Sequence, residues 1–261
     1  MLDTLSPARR RTVLTAVALG VLLAVVVVVA VTRSPATQVD PVAQDRPGPV
    51  LLVSGYGGGT GLLEPLRTAL AGLGRDVVVV PVVAGGTGDI RVQAAALGRQ
   101  VDRSLRRSGA GSVDVVGYSA GGVVARAWVR YHGGASVARR VLSVGSPQHG
   151  TDLAELAAGL AGGCPAACEQ LTPDSGLLRA LNAGDETPDG PVFVSVWSET
   201  DRTVTPPSSA RLAGALNLAV QSVCPGRRTS HAGLPADPVV LALLASALGP
   251  GPPTVPTDVS C

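Results

Sequence analysis

Val113-Asp114-Val115-Val116-Gly117-Tyr118-Ser119-Ala120-Gly121-Gly122 decides how this chain is read. A β-branched run, which favours extended backbone, ends in Gly-x-Ser-x-Gly, and a helix-compatible segment from Val123 to Tyr131 follows at once. Strand, tight turn and helix in that order lift one hydroxyl, on Ser119, to the apex of a nucleophile elbow. Gly117 and Gly121 flank it because a Cβ at either place would collide with the adjoining strand or helix. Five residues can match by accident in a chain rich in Gly, Ala and Ser, so the strand before and the helix after give the match its weight.

Toward the N-terminus, Ile90 to Arg107 reads as a helix, Gly85 to Asp89 as a loop and Asp76 to Val83 as an apolar strand. Before them, Val50 to Ser54 is a short buried strand, followed by Gly55-Tyr56-Gly57-Gly58-Gly59-Thr60-Gly61 and a helix from about Leu62 to Gly72. A glycine loop between strand and helix can cradle a phosphate, but the Lys-Ser/Thr of a P-loop is missing. Toward the C-terminus, strands are expected at Arg139 to Gly145, Pro191 to Ser198 and Ala215 to Val223. Asp237 and Pro238 then open a closing helix to about Leu248, with Asp as N-cap and Pro at the first helical position. Strands alternating with helices predict an α/β fold: a mainly parallel sheet of about six strands with helices on both faces. Asp152 to Gly190 is less regular, with short helices at Leu153 to Leu160 and Ser175 to Asn182; it either roofs the site or is a plain surface excursion.

Thr12 to Thr32 carries no charge over about twenty residues and follows Arg9-Arg10-Arg11, which predicts a transmembrane helix with its arginines cytoplasmic. A cleaved signal peptide, cut near Ala30, is the competing expectation. Either sends the rest of the chain out of the cytoplasm. The expected organisation is an anchor or signal segment at 1–33, a flexible Pro- and polar-rich linker at 34–49, and a single folded domain at 50–261.

Hydrophobic residues make up 46% of the chain but aromatics only 2%, so the core must be aliphatic and a base-stacking nucleic-acid surface is excluded. All 21 basic residues are Arg, against 19 acids; setting aside Arg9, Arg10, Arg11, Arg33 and Asp3 leaves 17 against 18. No polyanionic partner is indicated, and a monomer is expected.

A serine hydroxyl needs a base to take its proton, and three histidines are available. His132 ends the helix after the elbow, which carries it away from Ser119. His149 follows a strand but precedes every plausible acid. His231 lies on a loop after the last strand, where the order Ser, acid, His requires it. Asp201, just past PVFVSVWS (Pro191 to Ser198), is the expected acid that orients the imidazole; Glu199 is its main rival, with Asp174 and Asp185 further off. The backbone N–H groups of Ala120 and Tyr56 are the expected oxyanion donors.

These features resemble the small α/β-hydrolase lipases and esterases of bacteria over roughly Val50 to Leu248. The likeness is carried by VSGYGGGTG (Val53 to Gly61), GYSAGG (Gly117 to Gly122), GSPQHGT (Gly145 to Thr151), ETDRTVTPPSSA (Glu199 to Ala210) and HAGL (His231 to Leu234). The resemblance implies a triad of Ser119, Asp201 and His231 and carboxylic ester hydrolysis through an acyl-enzyme, with a small-molecule or lipid ester as substrate and no metal or organic cofactor. The family's oxyanion loop usually begins His-Gly, where this chain has Ser54-Gly55. An acyltransferase using the same triad, or a non-catalytic binding module on the same fold, are the alternatives.

Four cysteines in an exported chain predict two disulfides, with Cys164 to Cys168 clipping a short turn and Cys224 to Cys261 tying the Pro-rich tail beside the His231 loop. The pairs lack Cys-x-x-Cys spacing, which disfavours zinc.

Overall fold

The computed structural model describes residues 7–32, 39–256, 259 and 261, and it divides into two units, Met1–Gln38 and Val39–Cys261. The first holds one helix, α1 (Pro7–Thr32). Among the described residues no helix is long and apolar enough to cross a membrane. The transmembrane anchor expected at Thr12 to Thr32 is therefore not supported.

The second unit is built on six parallel strands: β1 (Val50–Val53), β2 (Val77–Val79), β3 (Val113–Tyr118), β4 (Ala138–Val144), β5 (Val192–Trp197) and β6 (Leu216–Ala219), in the order β2-β1-β3-β4-β5-β6. Strand β3 lies inside, between β1 and β4, and every one of its residues is buried. That is why it reads as a continuous apolar run rather than an alternating one. Its side chains still alternate in direction. Val113 and Val115 join a core with Leu97, Val123, Ala127 and Trp128 on one face, while Val116 and Tyr118 join Leu66, Leu70, Val240 and Leu244 on the other.

The first face is covered by α3 (Ile90–Ser108) and α4 (Ala120–Tyr131), the second by α2 (Glu64–Gly72) and α9 (Pro238–Ala247). Asp237 caps α9 by accepting from the Val239 N–H at 2.8 Å. Between β4 and β5 the irregular stretch forms α5 (Asp152–Ala158), α6 (Ala166–Gln170) and α7 (Gly176–Asn182); the four-residue α8 (Val220–Val223) follows β6 directly.

Two expected strands are shortened. β2 stops at Val79, before Pro81, which has no N–H for a ladder. β6 ends at Ala219 because the chain turns into α8. Residues 34–38 of the expected linker lie outside the described residues, and 39–49 belong to the second unit. Within it, Arg139 Nη1 donates to the Gln44 carbonyl at 2.9 Å and Arg75 Nη2 to that of Gly48 at 2.7 Å. Both arginines converge on the fully buried Asp114, Arg139 through two bonds of 2.9 and 2.6 Å and Arg75 through one of 2.6 Å. Arg139 also donates to the carbonyls of Leu248 and Gly249 after α9. This cluster closes the end of the sheet where β3 and β4 begin, away from Ser119 at the other end of β3. A buried carboxylate needs such partners, since an unpaired charge there would cost several kcal/mol.

Both expected disulfides form, Cys164–Cys168 and Cys224–Cys261. The second spans 37 residues of sequence, so in the chain-entropy model it contributes about 4 kcal/mol. Cys261→Ser should lower the thermal unfolding midpoint by about 10 °C, with reductant lowering the parent by more than the variant, which keeps Cys164–Cys168.

Candidate active site

The C-terminal ends of β1, β3, β4 and β5 point to one edge of the sheet, where loops collect in parallel α/β folds. Ser119 sits between β3 and α4 with φ 53° and ψ −126°, a conformation unusual for a residue with a Cβ. The turn closes this tightly because its flanks are glycine. A Cβ on Gly117 would lie 2.4 Å from the Gly121 backbone, and one on Gly121 would lie 2.3 Å from the Val53 carbonyl oxygen of β1. The elbow thus packs straight onto the neighbouring strand, and the strained backbone at Ser119 is held by both contacts.

His231 opens a 3-10 turn (His231–Ala236) after α8. Its Nε2 is 2.9 Å from Ser119 Oγ and its Nδ1 is 2.6 Å from Asp201 Oδ2. These partners assign the tautomer: Nδ1–H donates to the carboxylate and Nε2 accepts from the serine hydroxyl. Asp201 is buried, and its second oxygen accepts from the N–H groups of Thr203 at 2.7 Å and Val204 at 3.1 Å. The carboxylate is thereby fixed on both oxygens.

Three side chains that sequence reasoning passed over hold this arrangement. The Tyr118 hydroxyl donates to the His231 carbonyl at 3.1 Å, and its ring lies against the imidazole with centroids 5.2 Å apart. Burial, and then the Asp201 charge, push the phenol up to about 12, so it remains a donor at neutral pH. Thr200 Oγ1 donates to the Thr229 carbonyl and accepts from the Thr229 N–H, both at 3.1 Å, joining the acid loop to the histidine loop. Gln221 bridges the same loops: its Nε2 donates to Ser198 Oγ and to the Arg227 carbonyl, and its Oε1 accepts from the Glu199 N–H. Gln221→Ala should cut kcat about tenfold with little change in KM, because small misplacements of a reacting group are costly while substrate contacts stay intact. Steady-state kinetics check this.

Asp237 anchors the far side of the histidine loop, accepting from Arg227 Nε at 2.8 Å and from the Thr229 hydroxyl. Burial opposes its charge, but the hydrogen bonds from Thr229, Arg227 and the Val239 N–H prevail and hold its carboxyl below the ordinary 3.8. Its contribution to stability is complete above that value and fades as pH falls through the lowered one.

The other candidates lie elsewhere. His149 contacts Glu186 Oε1 at 2.8 Å and the Ser209 carbonyl at 3.3 Å, and His132 is exposed at the end of α4. Glu199, Asp174 and Asp185 are exposed. Ala120 N–H is an orphan donor at the first residue of α4, and Tyr56 lines the same cavity as Ser119.

That cavity, of about 240 Å³, is walled by Leu153, Ala154, Ala157, Leu171 and Val204 with the Cys164–Cys168 bridge. The irregular stretch therefore covers Ser119, and what it offers is almost wholly apolar.

Residues 105–223 match the family model of the class 2 lipases, a span that contains Ser119 and Asp201 and ends before His231. No curated protein sequence matches the chain. The fold is shared with the mature lipase BlEst2 of Bacillus licheniformis (TM-score 0.64, 18% identity, 83% of this chain and 96% of that one). It is shared too with lipase B of Aspergillus fumigatus (TM-score 0.69, 21% identity, 84% of this chain and 56% of that one). An esterase domain from Rhodothermus marinus is similar at TM-score 0.50 and 14% identity, over 82% of this chain and 89% of that one. Fold and family match point the same way: the chain has the α/β-hydrolase fold that these lipases share, and its residues 105–223 are similar to the class 2 lipases.

Proposed function

We propose that this protein is a serine hydrolase that cleaves carboxylic esters through an acyl-enzyme on Ser119. The observation that carries the reading is the unbroken contact from Asp201 through His231 to Ser119 Oγ, opening on an apolar cavity. Ser119 Oγ attacks the ester carbonyl while its proton passes to His231 Nε2. The oxyanion is met by the Ala120 and Tyr56 N–H groups, which need no reorganisation. Collapse expels the alkoxide, which takes the proton from Nε2. Water then repeats the sequence, with His231 as base, and frees the acid. Throughout, Asp201 keeps the imidazole in its tautomer and stabilises the imidazolium. The apolar walls suit an aliphatic acyl chain. Two disulfides in so small a domain support work outside the cytoplasm.

The experiment is active-site titration. A fluorophosphonate should label one equivalent of the full chain at Ser119 and abolish release of p-nitrophenol from its butyrate ester. Labelling at another residue, or hydrolysis that survives full labelling of Ser119, would reject the proposal.

A further inference from the structure

A second cavity opens on the other side of His231. It has a volume of about 470 Å³ and is lined by Arg202, Arg228, Thr200, Thr203, Ser230 and His231 itself. Thr203 also lines the apolar cavity at Ser119, so the two spaces adjoin there, one bordered by Ser119 and the other by His231. Their chemistry differs, the first being almost wholly apolar and the second mixed. One presents aliphatic walls to Ser119; the other presents hydroxyls and two guanidinium groups to the imidazole.

In the proposed reaction these sides have different occupants. The acyl group stays on Ser119 and needs apolar walls, whereas the leaving alcohol collects its proton from His231 and must lie beside it. The polar cavity is thus the alcohol side. Its arginines are available for a ligand: among the described residues neither Arg202 nor Arg228 has a hydrogen bond or ion pair to a protein group, while the adjacent Arg227 is bound to Asp237 and to the Cys261 carbonyl. The one carboxylate at hand, Asp201, is engaged by His231 and two backbone N–H groups, and the exposed Glu199 does not line the cavity. Two free guanidiniums beside the hydroxyls of Thr203 and Ser230 match the oxygens of a phosphate.

We infer that the preferred substrates are acyl esters of a phosphorylated small alcohol, of the monoacyl glycerol phosphate type, with the phosphate held between Arg202 and Arg228. This inference rests on the proposed ester hydrolysis and adds the identity of the alcohol. It is tested with 1-octanoyl glycerol 3-phosphate, 1-octanoyl glycerol and octanoylcholine, each below its aggregation concentration, by release of octanoate. For the full chain at low ionic strength, kcat/KM for the phosphate ester should exceed that for the neutral ester by about tenfold, as expected for two exposed charge pairs. The cationic ester should be poorest. The ratio should fall toward one as salt rises to about 0.5 M, where screening is short-ranged. It should also fall toward one in Arg202→Gln/Arg228→Gln, with each single variant losing part of it. Hydrolysis of all three esters at similar rates would overturn the inference and leave the hydrolase reading standing, as would a preference that survives both substitutions. Failure to hydrolyse any of them would overturn both. The salt dependence of the parent needs no variant, so the inference stays testable if the double substitution does not fold.

Discussion

Ser119→Ala should reduce hydrolysis of p-nitrophenyl butyrate by about 10⁶-fold in kcat, leaving the fold and substrate affinity nearly intact, and His231→Ala should cost about the same. Both losses follow from one contact, the 2.9 Å approach of Nε2 to Oγ. Without the hydroxyl there is no atom to carry the acyl group, and without the imidazole the hydroxyl keeps its proton. The sharper form of the prediction is non-additivity. Ser119→Ala/His231→Ala should be no slower than either single variant, because the two side chains act as one unit. A double variant slower by the product of the two would show that they act independently and would sink the proposed mechanism. The residual rate should be that supported by binding and the backbone donors alone.

Asp201→Asn should lower kcat by about 10⁴-fold, less than loss of the nucleophile but far more than loss of a surface charge. The physical reason lies in the tautomer. The amide oxygen of Asn can still accept from Thr203 and Val204, which leaves its NH₂ facing Nδ1. That donor forces the proton onto Nε2, where it can no longer accept from Ser119. An NMR assignment of the imidazole tautomer, beside kcat, separates this effect from loss of folding. If Glu199→Gln were the slower variant instead, the acid would be misassigned.

The elbow was legible because everything it needs is local. A β-branched run, small residues at two flanking positions and a helix start directly after them leave few other conformations for Ser119. The alternation of strands and helices was legible for the same reason, and it implied a parallel sheet with two covered faces, as found. Chain order singled out His231 among the three histidines, and a place just past an expected strand made Asp201 the expected acid, with Glu199 its rival. Their distances to Ser119 were not legible, since residues 112 apart are brought within 2.9 Å only by the sheet that stands between them.

What escaped sequence reasoning was long-range. Gln221 sat inside an expected strand, and only the early end of β6 turns its amide toward Ser198 and Arg227. Asp114 lay within the stretch that decided the fold, yet nothing nearby announced its pairing with Arg139 and Arg75. Residues 39–49 looked like a linker by composition, but arginines from other strands and loops claim their carbonyls. The sequence by itself determined the hydrolase fold, the candidate nucleophile and the chain order of its partners, because periodicity and turn chemistry act over a few residues. Tertiary structure alone decided which loops clamp the imidazole, that an irregular stretch walls the acyl side, and that Arg202 and Arg228 share a cavity with His231, because those contacts depend on where the strands finally lie.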